Sequence, residues 1–241
     1  MPFYFAEIMN IVDDRIAIVG SEHRHLTKVM RLKKGARVTV TDGAGMVYDC
    51  FLTKRGRERS ELQVITSRRN VGEPQRAVTV AVGLSAVSKF DLLLQMCVEI
   101  GVSGFAPLLS HKSRIKLGDN SRIERKLRRW REIIKAERSR LPEISAPQAF
   151  ESYVRRLEGN PLERIIAHPS AGEMQSARAQ AILGATKQPL VLLVGPEAGF
   201  TPEEFEQALR CGFEPLSLGD RILRAETAAP ALASLALLGA V

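Results

Sequence analysis

The sequence predicts an α/β protein in two parts: a small β-barrel over residues 1–72, then a parallel sheet covered by helices over residues 73–241. Three observations lead there. Up to residue 69 the apolar residues fall in short runs rich in Val, Ile, Thr and Tyr, cut by Gly, Asp and Asn, as short strands with tight turns require. From residue 77 onward, near-continuous Val, Leu and Ile runs alternate with longer helical stretches, the pattern of a parallel sheet buried on both faces. Between the two regions, "NVGEPQR" (70–76) places Gly and Pro at the change of rhythm and reads as a linker.

In chain order, "RIAIVG" (15–20), "RVTVTDG" (37–43), "MVYDCFLTKR" (46–55) and "ELQVITSRR" (61–69) are the strands of the first part. "DGAG" (42–45) is a hairpin signal between two of them. The stretch "SEHRHLTKVMRLKKG" (21–35) predicts a short helix with Leu26, Val29 and Met30 on one face, displaying His23, Arg24, His25, Lys28 and Arg31. Two nearby histidines raise a metal site, but no Cys or acidic residue stands at a ligand spacing, so a basic surface is favoured and no metal is expected. In the second part "AVTVAVGL" (77–84) is a strand, "KFDLLLQMCVEIGV" (89–102) a helix ending at a glycine, and "GFAPLLS" (104–110) a strand. A basic helix over 120–140 follows. Then come "ERIIAHPS" (163–170), a helix, "PLVLLVGPEAGF" (189–200), another helix, "FEPLSLG" (213–219) and a terminal apolar helix. Thr201, Pro202 and Glu204 supply a cap, a first-turn proline and a capping-box carboxylate, which are structural roles.

Composition narrows the class. An apolar share of 45% with 26% charged residues describes a soluble globular chain rather than a disordered one. Cys50, Cys97 and Cys211 are odd in number and far apart, which suits core thiols in a reducing cytoplasm. The N-terminus reads as no secretory leader. The uncharged run 228–241 is shorter than the roughly 20 residues of a membrane helix, so a buried helix and no membrane are expected. The formal charge of +8 is uneven. Residues 111–140 hold twelve Lys/Arg against four Asp/Glu, and residues 141–241 hold eight against twelve. A one-signed run of that density favours a polyanion partner, and nucleic acid leads.

In doubly wound sheets, ligands bind at the carboxyl ends of the strands. Three of those ends carry "AHPS" (167–170), "GPEAGF" (195–200) and "LGDRILRAETA" (218–228). Gly195 and Gly199 allow close backbone approach or positive φ. Phosphate-cradling fingerprints are missing, and Glu197 beside a glycine loop disfavours a phosphate there. An apolar floor from Leu218, Ile222 and Leu223, with backbone groups around it, suits a planar and largely uncharged ligand such as an adenosine moiety.

"VGPEAGF" followed by "LGDRILRAETA" resembles the paired C-terminal motifs of the SPOUT methyltransferases. More narrowly, the chain is similar to the RsmE family, which methylates uracil N3 in small-subunit (16S) ribosomal RNA. "HLTKVMRLKKGARVTVTDG", "SKFDLLLQMCVEIGV", "LLSHKSRIKL" and "KLRRWREI" stand in the expected order, so the resemblance spans essentially the whole chain. It implies a PUA-like RNA-binding barrel before a SPOUT domain with a deep trefoil knot, acting as a homodimer. It also implies that S-adenosylmethionine lies on His168 and Pro169, on Gly195, Glu197 and Gly199, and on Leu218, Gly219, Ile222 and Leu223. The sequence departs from the family in having Ala198 where "GPEGGF" has glycine, and in a shortened "AERSRLPEI" after the basic helix.

The implied reaction needs a uracil whose N3 proton leaves and whose developing anion is stabilised. Arg224 is the first candidate for that stabilisation; the alternative is that it pairs with Glu226 or Glu197 and only shapes the loop. Glu226 is expected to orient the loop, and no base is assigned. Candidate RNA contacts are Arg24, His25, Lys28 and Arg31 in the barrel, with Arg125, Arg128, Arg129, Arg138 and Arg140 in the basic segment. Two other readings stay open: a ribose 2′-O methyltransferase of the same superfamily, and a non-catalytic RNA-binding assembly factor.

Overall fold

The computed structural model describes residues 3–84, 87–113, 120–134, 139–169, 171, 173–185 and 187–238. The chain forms two compact units. One runs to Glu73 and takes in a return segment ending at Leu141; the other comprises Pro74–Ile134 and the chain from Pro142 onward. A continuous second domain from residue 73 is the sequence expectation, and residues 139–141 depart from it. Their backbone is claimed by the first unit. Gly45 N–H donates to the Ser139 carbonyl (2.9 Å) and Leu141 N–H to the Gly43 carbonyl (2.8 Å). Thr41 Oγ1 also donates to the Ser139 carbonyl, at 2.9 Å. Glu73 belongs to this cluster of bonds, accepting from Ser139 Oγ (2.7 Å) and Arg140 N–H (3.0 Å), which places the boundary after it.

In the first unit β1 (Phe3–Phe5), β2 (Ile11–Val12), β3 (Arg15–Val19), β4 (Arg37–Thr41), β5 (Met46–Arg55) and β6 (Arg59–Arg69) make one sheet, ordered β1-β4-β5-β6-β3-β2. β1 runs parallel to β4, and the other pairings are antiparallel. The turn between β4 and β5 is where the hairpin signal lies: Asp42 Oδ1 accepts the N–H groups of Ala44 (2.7 Å) and Met46 (3.0 Å). Alternate residues Ile16 and Ile18, Val38 and Val40, and Cys50 and Leu52 face one core, as a half-buried sheet requires. The expected helix is only α1 (Gly20–Arg24), followed by a π-turn at His25–Val29. A π-turn advances the register by a residue relative to an α-turn. Leu26 is therefore buried while Val29 is 67% exposed and Met30 46%, against the single apolar face expected. His23 is not displayed either. It is buried, with Nδ1 2.9 Å from the Ser60 hydroxyl.

In the second unit β7 (Val78–Gly83), β8 (Gly104–Leu109), β9 (Glu143–Ile144), β10 (Gln148–Ala149), β11 (Glu163–Ala167), β12 (Leu190–Val194) and β13 (Glu214–Leu216) make a parallel sheet. Its order is β10-β8-β7-β12-β11-β13, with β9 beside β8. Residue parity separates the two faces. Val78, Val80, Val82, Leu190, Leu192, Val194 and Ile165 share one core with α2 (Val87–Ile100), α3 (Asn120–Ile134), α5 (Glu173–Ala185) and α7 (Ala225–Leu238). Ala81, Val191, Leu193 and Ile166 share the other with α4 (Phe150–Arg156) and α6 (Pro202–Arg210). The basic helix is shorter than the expected 120–140. In α3, Ile123, Leu127, Trp130 and Ile134 recur at helical spacing, and the last two are buried. Pro202 begins α6, where the complete capping box of Thr201 and Glu204 is present. The uncharged C-terminal run is largely core: Ala228, Ala229, Leu232, Ala233 and Ala236 of α7 are buried within their own unit.

Candidate functional site

Strands β12, β11 and β13 are neighbours, and their register sets the site. Ala167 at the end of β11 is level with Val194 at the end of β12 and with Leu216 at the end of β13. All three strands are parallel, so the three following loops leave the sheet side by side at its carboxyl edge. They enclose a cleft of about 1250 Å³, large enough for a cofactor-sized ligand and part of a second. His168, Pro169, Gly195, Glu197, Gly199, Leu218, Gly219, Ile222, Leu223 and Arg224 all line it. Three segments predicted separately are thus brought together.

The first loop begins with His168, whose N–H donates to the Leu216 carbonyl at 3.0 Å, tying it to the neighbouring strand end. Its ring stacks on Phe205 of α6 at 3.9 Å, and desolvation holds its pKa below the ordinary imidazole value, favouring the neutral ring. The second loop doubles back tightly. Gly199 N–H donates to the Pro196 carbonyl at 2.8 Å, and Gly199 takes φ +70°. A Cβ on Gly195 would stand 3.3 Å from Gly199 Cα, so its glycine serves close approach. Ala198 is not among the residues of positive φ, which accounts for a non-glycine residue being accommodated there. The third loop turns at Gly219, φ +101°, bracketed by the Ser217 hydroxyl. Leu218 and Leu223 pack down on the core and form the floor. Ile222 does not join them: it is 84% exposed and stands at the rim.

Sequence reasoning missed the lysines. Lys89, in the first turn of α2, lines the cleft and forms an ion pair with Glu197. Its Nζ is also 3.9 Å from Glu226 Oε1. Arg224, offered above as a partner for those carboxylates, has an exposed side chain with no partner among the described residues. Its carbonyl accepts from Thr227 and Ala228 and so starts α7, while its guanidinium lines the cleft and is unpaired among the described residues. Glu226 is not on the cleft wall, and its Oε2 is buried without a hydrogen-bond partner. Lys112, from the loop after β8, donates to the carbonyls of Ala198 (3.0 Å) and Phe200 (3.3 Å) and braces the second loop from outside. The signal for Lys89 was available. It follows β7, whose carboxyl end opens on the same edge as β12.

The candidate RNA residues divide. Arg24 and Lys28 line a groove of about 510 Å³ in the first unit, together with Arg55, Arg57 and Glu58 of the β5–β6 hairpin. Arg55 donates to the carbonyls of Thr27 and Leu32, which fixes the hairpin to the π-turn. His25 is half-buried with its ring 5.7 Å from Tyr4, and Arg31 is exposed away from the groove. In the second unit Arg125 and Arg128 are exposed on α3, whereas Arg129 is paired with Asp91 of α2 at 2.5 Å. Asp91 also accepts from Trp130 Nε1 (3.1 Å), so Arg129 helps dock its own helix. Arg140 is exposed in the return segment, and Arg138 lies outside the described residues. Among the described residues no group of His, Cys, Asp and Glu able to hold a metal occurs, and no helix is long and apolar enough to cross a membrane.

The chain that carries this sheet-edge cleft and this basic groove is an RNA methyltransferase by family. Residues 72–237 match the profile of an RNA methyltransferase domain, and residues 20–65 match that of an RNA methyltransferase PUA domain. Ribosomal RNA small subunit methyltransferase E of Synechocystis is 33% identical over 90% of this chain and 71% of its own length. That of Bacillus subtilis is 26% identical over 88% and 85%. The chain belongs to the ribosomal RNA small subunit methyltransferase E family. Its fold is that of the Neisseria gonorrhoeae member, crystallised bound to S-adenosyl methionine: the TM-score is 0.83 at 24% identity, over 97% of this chain and 95% of that one.

Proposed function

We propose that this chain methylates N3 of a uridine in 16S ribosomal RNA, using S-adenosylmethionine. The observation that carries the reading is the common level of the three loops, which gathers the family's motif residues around one cleft. The residues present fit the cofactor. Leu218 and Leu223 offer an apolar floor for an adenine, Gly195, Gly199 and Gly219 offer unobstructed backbone, and Glu197 offers an acceptor for hydroxyl or amino donors. When bound, the cofactor supplies an electrophilic methyl group on a sulfonium centre. The chain's own residues supply the rest. Arg224 offers a charge-assisted donor to the uracil as negative charge develops. Glu226 and Lys89 hold the third loop at the start of α7. The resemblance further implies that these loops are drawn into a trefoil knot.

Exposed Arg24 and Lys28 in the groove, and Arg125 and Arg128 on α3, are the cations we assign to RNA phosphates. A homodimer is proposed on the α2–α7 side of the second unit, where the apolar side chains of Leu92, Met96, Leu235 and Leu238 stay exposed. The three buried thiols support a reducing cytoplasm. The test is incubation with S-adenosylmethionine and unmodified small-subunit RNA, followed by digestion and mass spectrometry. A methyl group on a uracil base is the expected result. Methylation of ribose fragments would transfer the chain to the 2′-O reading, and RNA binding with no turnover would leave an assembly factor.

A further inference from the structure

The two carboxylates singled out in the cofactor loops share one cation. Glu197 leaves the end of β12 and Glu226 opens α7, far apart in sequence, and Lys89 reaches both from the first turn of α2. Among the described residues no other cation is paired with either. Arg224, two residues from Glu226, does not take the role. The arrangement is partly sheltered: the side chains of Lys89, Glu197 and Glu226 are 33%, 32% and 13% exposed. Glu226 is the less satisfied of the pair. Its Oε1 lies at 3.9 Å from Nζ, beyond hydrogen-bond length, and its Oε2 is buried without a donor. A carboxylate so placed is held by charge rather than by hydrogen bonding.

We infer that Lys89 is a positioning residue for the methyl-transfer site, its ammonium acting as the shared counter-charge that keeps the second and third cofactor loops together. Without it the sheltered Glu226 carboxylate and the more open Glu197 carboxylate face each other with no cation between them, and the loops that carry them are pushed apart. The lysine stem alone cannot prevent this, since the contact made with Glu226 is purely coulombic. Glu197 is also the acceptor assigned to the cofactor. Lys89 therefore stands where a ligand donor arriving at Glu197 competes for its ammonium, and Glu226 is the carboxylate to which a displaced ammonium can turn.

The part of this inference that concerns ligand affinity rests on the cofactor reading above; the part that concerns the charge cluster does not. Two measurements separate them: the Tm of the ligand-free protein, and calorimetry with S-adenosylmethionine. Lys89→Met, which keeps the stem and removes the charge, is expected to weaken affinity about tenfold and to lower Tm by roughly 2–4 °C. Adding Glu226→Gln to it is expected to restore most of both losses, and Lys89→Arg to stay near the parent. A lysine needed only for packing behaves oppositely, because the second substitution then adds a loss of its own. Parent-like Tm and affinity in Lys89→Met, or losses that add in the double variant, would overturn the inference. A parent protein that binds no S-adenosylmethionine would instead overturn the cofactor reading, while the Tm series still decides the role of Lys89.

Discussion

Arg224 carries the clearest consequence at the scale of single residues. Its guanidinium is exposed on the cleft and unpaired among the described residues, while the carboxylates nearest to it in motif order are engaged by Lys89. Arg224→Ala is therefore expected to leave loop structure and cofactor affinity close to the parent's. The rate of the chemical step should fall by about 10²–10³, the usual cost of one donor that faces developing charge. Single-turnover kinetics beside calorimetry checks this; equal losses in rate and affinity would mean that Arg224 binds rather than stabilises. Gly83 is a residue of another kind, invisible in the motifs. A Cβ there would stand 2.4 Å from Pro196 Cδ, so the end of β7 must be glycine for the second loop to lie against it. Gly83→Ala should destabilise the fold by about 1–3 kcal/mol through overpacking, with weaker cofactor binding as its companion. Denaturant unfolding with a cofactor titration reads both.

Elements whose residues answer to one demand were legible in the sequence, and those answering to two were not. Strand β12 is five apolar residues between a proline and a glycine, buried throughout, and nothing competes with that reading. The capping box of α6 is local chemistry, legible residue by residue. The helix after β3 escapes its apolar spacing, because that spacing implies the α period while the backbone inserts a π-turn at His25–Val29. The basic helix differs at its end for another reason. It has ended before Ser139, and a charge run does not reveal where a helix stops. The three loops at the carboxyl edge were legible as a cluster because glycine and charge gather in them; Lys89, which pairs with Glu197, was not, because pairing across a sheet edge has no spacing in sequence. Helix α3 also yields a test. Arg125 and Arg128 are exposed, whereas Arg129 is tied to Asp91. Arg125→Glu with Arg128→Glu should lower RNA affinity and flatten its salt dependence, by about 0.7 in slope for each phosphate no longer neutralised on a single strand. Cofactor affinity should hold. RNA binding equal to the parent's at every salt concentration would make that face merely solvated.

On the scale of the whole molecule, the composition and the change of rhythm near residue 70 foretold two units, but not the path of the chain. It leaves the first unit after Glu73, returns by Leu141, and leaves again at Pro142. That excursion rests on backbone hydrogen bonds from Gly45 and Leu141, and on the Leu141 side chain, which crowds the space above Gly43 beside the Phe5 ring. No apolar pattern marks its described part, since residues 139–141 are too few to carry a periodicity. Its consequence appears when the chain is cut rather than when it folds. Residues 70–72, where Asn70 and Gly72 are exposed ahead of Glu73, offer a place for a protease to nick, yet one nick there should set nothing free. The N-terminal fragment would remain clasped to residues 139–141, which stay covalently part of the other fragment. Nicked protein is expected to travel as one species on a native gel and as two bands once denatured, whereas two species under native conditions would show the clasp too weak to hold. The first unit is in this sense buttoned: severing the thread at the linker leaves the fastening closed.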